Sequence, residues 1–76
     1  MPIAFMLLNV DLGEEDVVLK QTRKVNGVKE AHRVYGIYDM VVKIDSDLTE
    51  EMKNIITGEI RRIQGVRSTL TLVSVQ

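Results

Sequence analysis

The stretch "VYGIYDMVVKI" (Val34 to Ile44) places a glycine, two tyrosines and an aspartate where two apolar runs meet. Asn-Gly or Asp-Gly would suffice to reverse the chain there. Gly36-Ile37 fits a two-residue type II′ turn, with Gly36 supplying the positive φ at the first central position and Tyr35 facing Tyr38. That geometry explains neither Asp39 nor the polar pair Thr69 and Thr71, two apart on one face of an otherwise apolar strand. The Asp39 carboxylate is an acceptor for an ammonium group. Paired threonine hydroxyls and the free N–H groups of a glycine turn are donors for a carboxylate. Together these groups could hold both ends of a free amino acid, but spacing alone does not displace the plainer reading of a strand edge.

Other chemistry is thinly represented. The chain has no cysteine, which excludes a disulfide framework, a thiolate zinc site and an iron–sulfur cluster. Its one histidine, His32, lies between Ala31 and Arg33 and reads as a surface or interface residue rather than a general base. Asp45, Asp47, Glu50 and Glu51 lack the twelve-residue loop and central glycine of a calcium site and read as helix-start acids. There is no glycine-rich phosphate loop and no G-x-S-x-G elbow. Arg61 and Arg62 suit the end of a helix, and Met6, Met40 and Met52 suit a core. The expectation is a protein with no catalytic residue, no metal and no cofactor.

A chain of 76 residues with 45% apolar and 28% charged residues makes one folded domain, residues 1–76, with a small core. A net charge of −1, with no basic run longer than Arg61-Arg62, argues against direct nucleic-acid binding. The apolar start "MPIAFMLLNVD" breaks at Asn9 and Asp11 and reads as a strand, and no run is long enough to span a membrane. A cytoplasmic protein is expected.

The elements that must position these residues come in two similar halves. "DLGEE" (Asp11–Glu15) returns as "DLTEE" (Asp47–Glu51), and "VNGVK" (Val25–Lys29) returns as "IQGVR" (Ile63–Arg67). Each half opens on an apolar extended run, then an Asp with a Glu three residues later, as in a capping box. Met52, Ile55, Ile56, Ile60 and Ile63 form one stripe at the helical period, and Val17, Val18, Thr22 and Val25 form a narrower one on a helix over about residues 14–25. Gly27 and Gly65 stand where left-handed helix ends are wanted. The order βαββαβ with right-handed crossovers predicts an α+β, ferredoxin-like fold, a four-stranded antiparallel sheet with two helices on one face. "VKEAHRVYG" does not alternate cleanly and predicts a bulge or irregular edge.

Two helices cover one sheet face, yet the first strand is apolar on both. In the last strand Leu70 and Leu72 point one way, and Thr69, Thr71, Val73 and Val75 the other. An exposed apolar face of this size is unusual on a monomer, so dimerisation through the sheet is expected.

The combination of "VYGIYDMVVKI", "GVRSTLTLVSV" and the first apolar run resembles the effector-binding domain of the Lrp/AsnC (feast/famine) transcription regulators, known as the RAM (regulation of amino acid metabolism) domain, over nearly the whole chain. The resemblance implies sheet-to-sheet dimers, rings such as octamers or decamers, and an amino acid or related small metabolite bound between dimers. It carries the binding role to Gly36, Tyr38, Asp39, Thr69 and Thr71. With Met1 directly before the first strand and no preceding helix-turn-helix, the chain is similar to the family's stand-alone sensing modules. Regulation of transcription would then pass through a partner, such as a full-length Lrp/AsnC regulator. Two alternatives are an oligomerisation module without a small ligand and a ferredoxin-like dimeric enzyme of the cofactor-free oxygenase type with His32 as its base.

Overall fold

Residues 3–45 and 49–74 are described by the computed structural model. They form β1 (Ile3–Val10), α1 (Glu15–Arg23), β2 (Val28–Arg33), β3 (Met40–Asp45), α2 (Thr49–Asn54) continued by a π-helical segment (Ile55–Ile60), and β4 (Val66–Val73). The strands lie in the order β2-β3-β1-β4, each antiparallel to its neighbours, which is the expected ferredoxin-like plan. No strand pairs with one from its own half: β1 sits between β3 and β4, and β2 pairs with β3 alone.

The period-two alternation of β1 puts Ala4, Met6, Leu8 and Val10 on the helix side, beside Met40, Val42 and Ile44 of β3. Against them pack Val18 of α1 and Met52, Ile55, Ile56 and Ile60, with Ile63 partly buried, so the second helical stripe is as expected. Each large side chain buried this way contributes about 1.5–3 kcal/mol. The first stripe is narrower than expected. Val18 and Thr22 are buried and Val25 half-buried, but Val17 is exposed at the margin of the stripe. Thr22 satisfies its buried hydroxyl by donating to the Val18 carbonyl at 2.8 Å.

Three local expectations are corrected. Asp11 does not cap α1: Glu14 is the N-cap residue, without a side-chain cap bond. Leu12 and Gly13 make an intervening turn, and Asp11 instead donates its N–H to the Gly65 carbonyl at 2.7 Å and pairs with Arg67 at 3.6 Å. The matching cap at Asp47, like the placement of Val75, lies outside the described residues. The second helix widens after Asn54 into a π turn, where the Arg61 N–H reaches the Ile56 carbonyl at 3.3 Å, five residues back. The wider turn keeps Ile55, Ile56 and Ile60 all on the sheet.

The third correction concerns the hairpin. Residues 34–39 form a six-residue connection, not a two-residue turn, closed by the Val34 N–H on the Asp39 carbonyl at 3.0 Å. Gly36 does take the positive φ, +132°, while Tyr35 and Ile37 project into solvent. The tight turn is prevented by Asp39, which is held to β1 instead. The expected irregularity in β2 is present as a register shift between Val28 and Glu30.

Gly27 and Gly65 have φ of +95° and +104°, ending the two helical arms as the sequence implies. Their carbonyls play matched roles: Gly27 accepts from the Asp45 N–H at 2.9 Å and Gly65 from the Asp11 N–H at 2.7 Å. Each half's glycine turn is thus tied to the end of the other half's first strand.

Candidate ligand-binding site

Antiparallel registers bring the five candidate residues toward the same half of the sheet. The Asp39 N–H donates to the Leu8 carbonyl at 2.9 Å, and Leu8 also faces Met40, so Asp39 and Met40 oppose one residue as in a β-bulge. One carboxylate oxygen of Asp39, Oδ2, accepts the Val10 N–H at 2.9 Å. On the other side of β1, Thr69 is the cross-strand partner of Leu8, and Thr71 that of Met6. Asp39 and Thr69 therefore stand about two strand spacings apart, roughly 10 Å, with β1 between them.

The structure gathers Asp39 and Thr69 at the end of β1 where α1 begins, with Thr71 two residues down β4. Tyr38 is half-buried beside Asp39, whereas Gly36 lies out on the connection, where an added Cβ would meet no atom. Thr69 and Thr71 share the helix-side face with Leu8 and Met6, as the alternation of β4 implies. The Thr71 hydroxyl is shielded from solvent and has no hydrogen-bond partner among the described residues. A buried hydroxyl in that state costs about 1–3 kcal/mol.

The opposite face of the sheet carries an apolar centre. Leu7 faces Val41 on one side and Leu70 on the other, and Phe5 faces Leu72. Phe5, Leu70 and Leu72 are 39%, 42% and 52% exposed, so this patch is open in a single chain. Its polar rim was not singled out in the sequence. On β2 and β3, the Glu30 carboxylate meets His32 Nε2 at 3.2 Å and Lys43 Nζ at 3.7 Å. The His32 hydrogen bond, followed by the Lys43 charge, holds the Glu30 carboxyl below the usual carboxylate range. On β1 and β4, Asn9 Nδ2 donates to Ser68 Oγ at 3.0 Å. These partners become legible only when the register is known.

Among the described residues no group of three or more His, Asp or Glu side chains is gathered as a metal site, and no helix is long and apolar enough to cross a membrane.

The Lrp/AsnC ligand binding domain family model matches residues 3–76, and the chain belongs to that family. It is 34% identical over 74 residues to an uncharacterized HTH-type transcriptional regulator of Pyrococcus abyssi, covering 93% of this chain and 49% of that protein. The chain thus spans about half the length of the regulators it matches. A 54-residue stretch is 43% identical to homocitrate synthase of Saccharolobus islandicus, covering 71% of this chain and 12% of the enzyme. The crystal structure of FFRP-DM1 superposes with a TM-score of 0.92 at 33% identity, covering 99% of this chain and all of that one. The complex of a Neisseria meningitidis transcriptional regulator with L-methionine has the same fold, with a TM-score of 0.84 at 12% identity over 99% of this chain and 50% of that one.

Proposed function

We propose that this chain is an effector-sensing module that binds an amino acid or related small metabolite where subunits meet, and that its occupied assembly modulates transcription through a partner regulator. The observation that carries the reading is the open apolar face of Phe5, Leu7, Val41, Leu70 and Leu72, which a single chain leaves uncovered. A second copy placed sheet to sheet covers it, and such dimers gather into a ring of eight or ten. Family membership supports a ligand-binding role, and the Neisseria relative is a member of the same fold seen with an amino acid.

In the site, the Asp39 carboxylate receives the ligand's ammonium group while Oδ2 keeps its bond to Val10. Tyr38 walls the site, Gly36 leaves the connection open to it, and Thr69 and Thr71 donate to the ligand's carboxylate. Residues 1–76 act as one ligand-binding domain, and DNA contact falls to a partner such as a full-length family member, in keeping with the net charge of −1. The site of action is the cytoplasm, and catalysis has no part in the proposal; the homocitrate synthase match is a small fraction of that enzyme.

A second reading is favoured by the same two residues. Asp39 already serves the chain's own backbone and the Thr71 hydroxyl is shielded, so the domain would assemble without any small ligand. Thermal shift over an amino-acid panel separates the two. A ligand at 100 times its dissociation constant adds about 2.7 kcal/mol of stability. The sensing reading expects one or a few amino acids to do this and native mass spectrometry to show them bound to the assembly; a flat panel leaves the oligomerisation reading.

A further inference from the structure

The register shift where β4 meets the end of β1 re-aims one basic side chain. Val10 faces Val66 and Asn9 faces Ser68, so Arg67 is the extra residue of a β-bulge. Ser68 accepts a hydrogen bond from Asn9 Nδ2 on the open face of the sheet. By the alternation of the strand, Arg67 and Thr69, on either side of Ser68, leave β4 on the other face, two residues or about 7 Å apart. A long arginine side chain bridges such a gap.

Arg67 is held only weakly. Its Nε lies 3.6 Å from Asp11 Oδ1, the two side chains being 67% and 57% exposed. Exposed pairs of this kind contribute little. Among the described residues nothing else takes a hydrogen bond from this guanidinium. Arg23, by contrast, is engaged on the Ala31 carbonyl through Nε at 3.2 Å and Nη2 at 2.8 Å, and Arg33 on Asp16 at 3.2 Å. Asp11 is the fixed member of its pair: its side chain is short and its own N–H is tied to the Gly65 carbonyl at 2.7 Å. Arg67 is the member that can swing along β4 toward Thr69, presenting the planar fork that matches a carboxylate through two parallel bonds.

We propose that Arg67 is the specificity-determining residue of the ligand site, and that the ligand it selects is an amino acid with a carboxylate side chain. The inference rests on the effector-sensing reading, in which Asp39 receives the ammonium group and Thr69 and Thr71 donate to a carboxylate. Arg67 is the cation on β4 beside those threonines. The ligand's second carboxylate replaces Asp11 on the guanidinium, and Asp11, more than half exposed, returns to water at little cost. An amide side chain of the same shape is a poorer match, because its one oxygen accepts while its NH2 group opposes the donors of the fork.

Calorimetric titration of the wild-type chain with L-glutamate and L-aspartate, each against its own amide and against L-lysine, tests this. At least one of the two acids should bind roughly tenfold or more tighter than its amide, as one charge-assisted contact implies. Arg67→Gln should bring that acid down to the affinity of the amide. Arg67 is exposed, so circular dichroism of the variant should be that of wild type. Equal affinities for acid and amide, or a preference that survives Arg67→Gln, overturn the inference and leave the sensing reading standing. Tighter binding of lysine than of either acid overturns it as well, since the side-chain contact would then fall to Asp11. If no amino acid of a full panel binds, the inference and the sensing reading fall together.

Discussion

Asp39 is a structural residue before it is anything else. Its backbone N–H and Oδ2 both hold β1, at Leu8 and Val10, and this latch opens the hairpin into six residues. Asp39→Ala leaves the Val10 N–H without its acceptor and should cost about 1–3 kcal/mol in urea unfolding. Asp39→Asn keeps an oxygen for Val10 and should cost less, yet ligand affinity should fall by roughly 1.5–3 kcal/mol by calorimetry, because a neutral amide replaces a charge-assisted acceptor. Equal affinities for wild type and Asp39→Asn would remove Asp39 from the site. Thr71 behaves in the opposite sense. Thr71→Val deletes a shielded hydroxyl without a partner, so the unliganded chain should gain about 1 kcal/mol while the ligand-induced thermal shift is lost. A variant that is destabilised would mean the hydroxyl is satisfied in solution.

The glycines that end the helical arms make unequal demands on their elements. At Gly65 an added Cβ would stand 2.8 Å from Val18 Cγ2 and 3.2 Å from Glu14 Cβ; at Gly27 it would stand 2.5 Å from Ile55 Cδ1, the far end of a longer side chain. Both carry the left-handed backbone penalty of about 1–2 kcal/mol. Gly65→Ala should cost more than Gly27→Ala in thermal unfolding, since Ile55 can swing its terminal methyl aside and Val18 with Glu14 cannot. Across β2 and β3, the lowered Glu30 pKa means its pairing with His32 and Lys43 is present above the usual carboxylate range and is lost as pH falls through the folded value. Glu30→Gln should therefore flatten the acid limb of the stability curve, and an unchanged limb would show that solvent screens the cluster. These elements also mark what could be read in advance. The alternation of β1, the isoleucine stripe and the two glycines depend on near neighbours in sequence, and each was legible. The hairpin and the Asp11 cap depend on partners dozens of residues away, Val10 for Asp39 and Gly65 for Asp11. The five candidate residues could be named, but their separation by a whole strand could not.

For the molecule as a whole, the open face is the first property to test. Leu72→Asp puts a carboxylate on the open face beside Phe5 without touching the buried side of the sheet, so circular dichroism should be retained while sedimentation shows a lighter species. An unchanged mass would place the subunit contact elsewhere. A different property follows from the crossed pairing of the halves. Every strand neighbour in β2-β3-β1-β4 comes from the opposite half, and the carbonyls of Gly27 and Gly65 reach across to Asp45 and Asp11. Severed at Gly36, neither fragment would retain a single pair of adjacent strands. Mixed, the two should reconstitute the fold bimolecularly, at a rate set by their concentrations. The intact chain is in this sense a tethered pair of βαβ arms, and the connection at Gly36 is the tether that turns their encounter into a folding step.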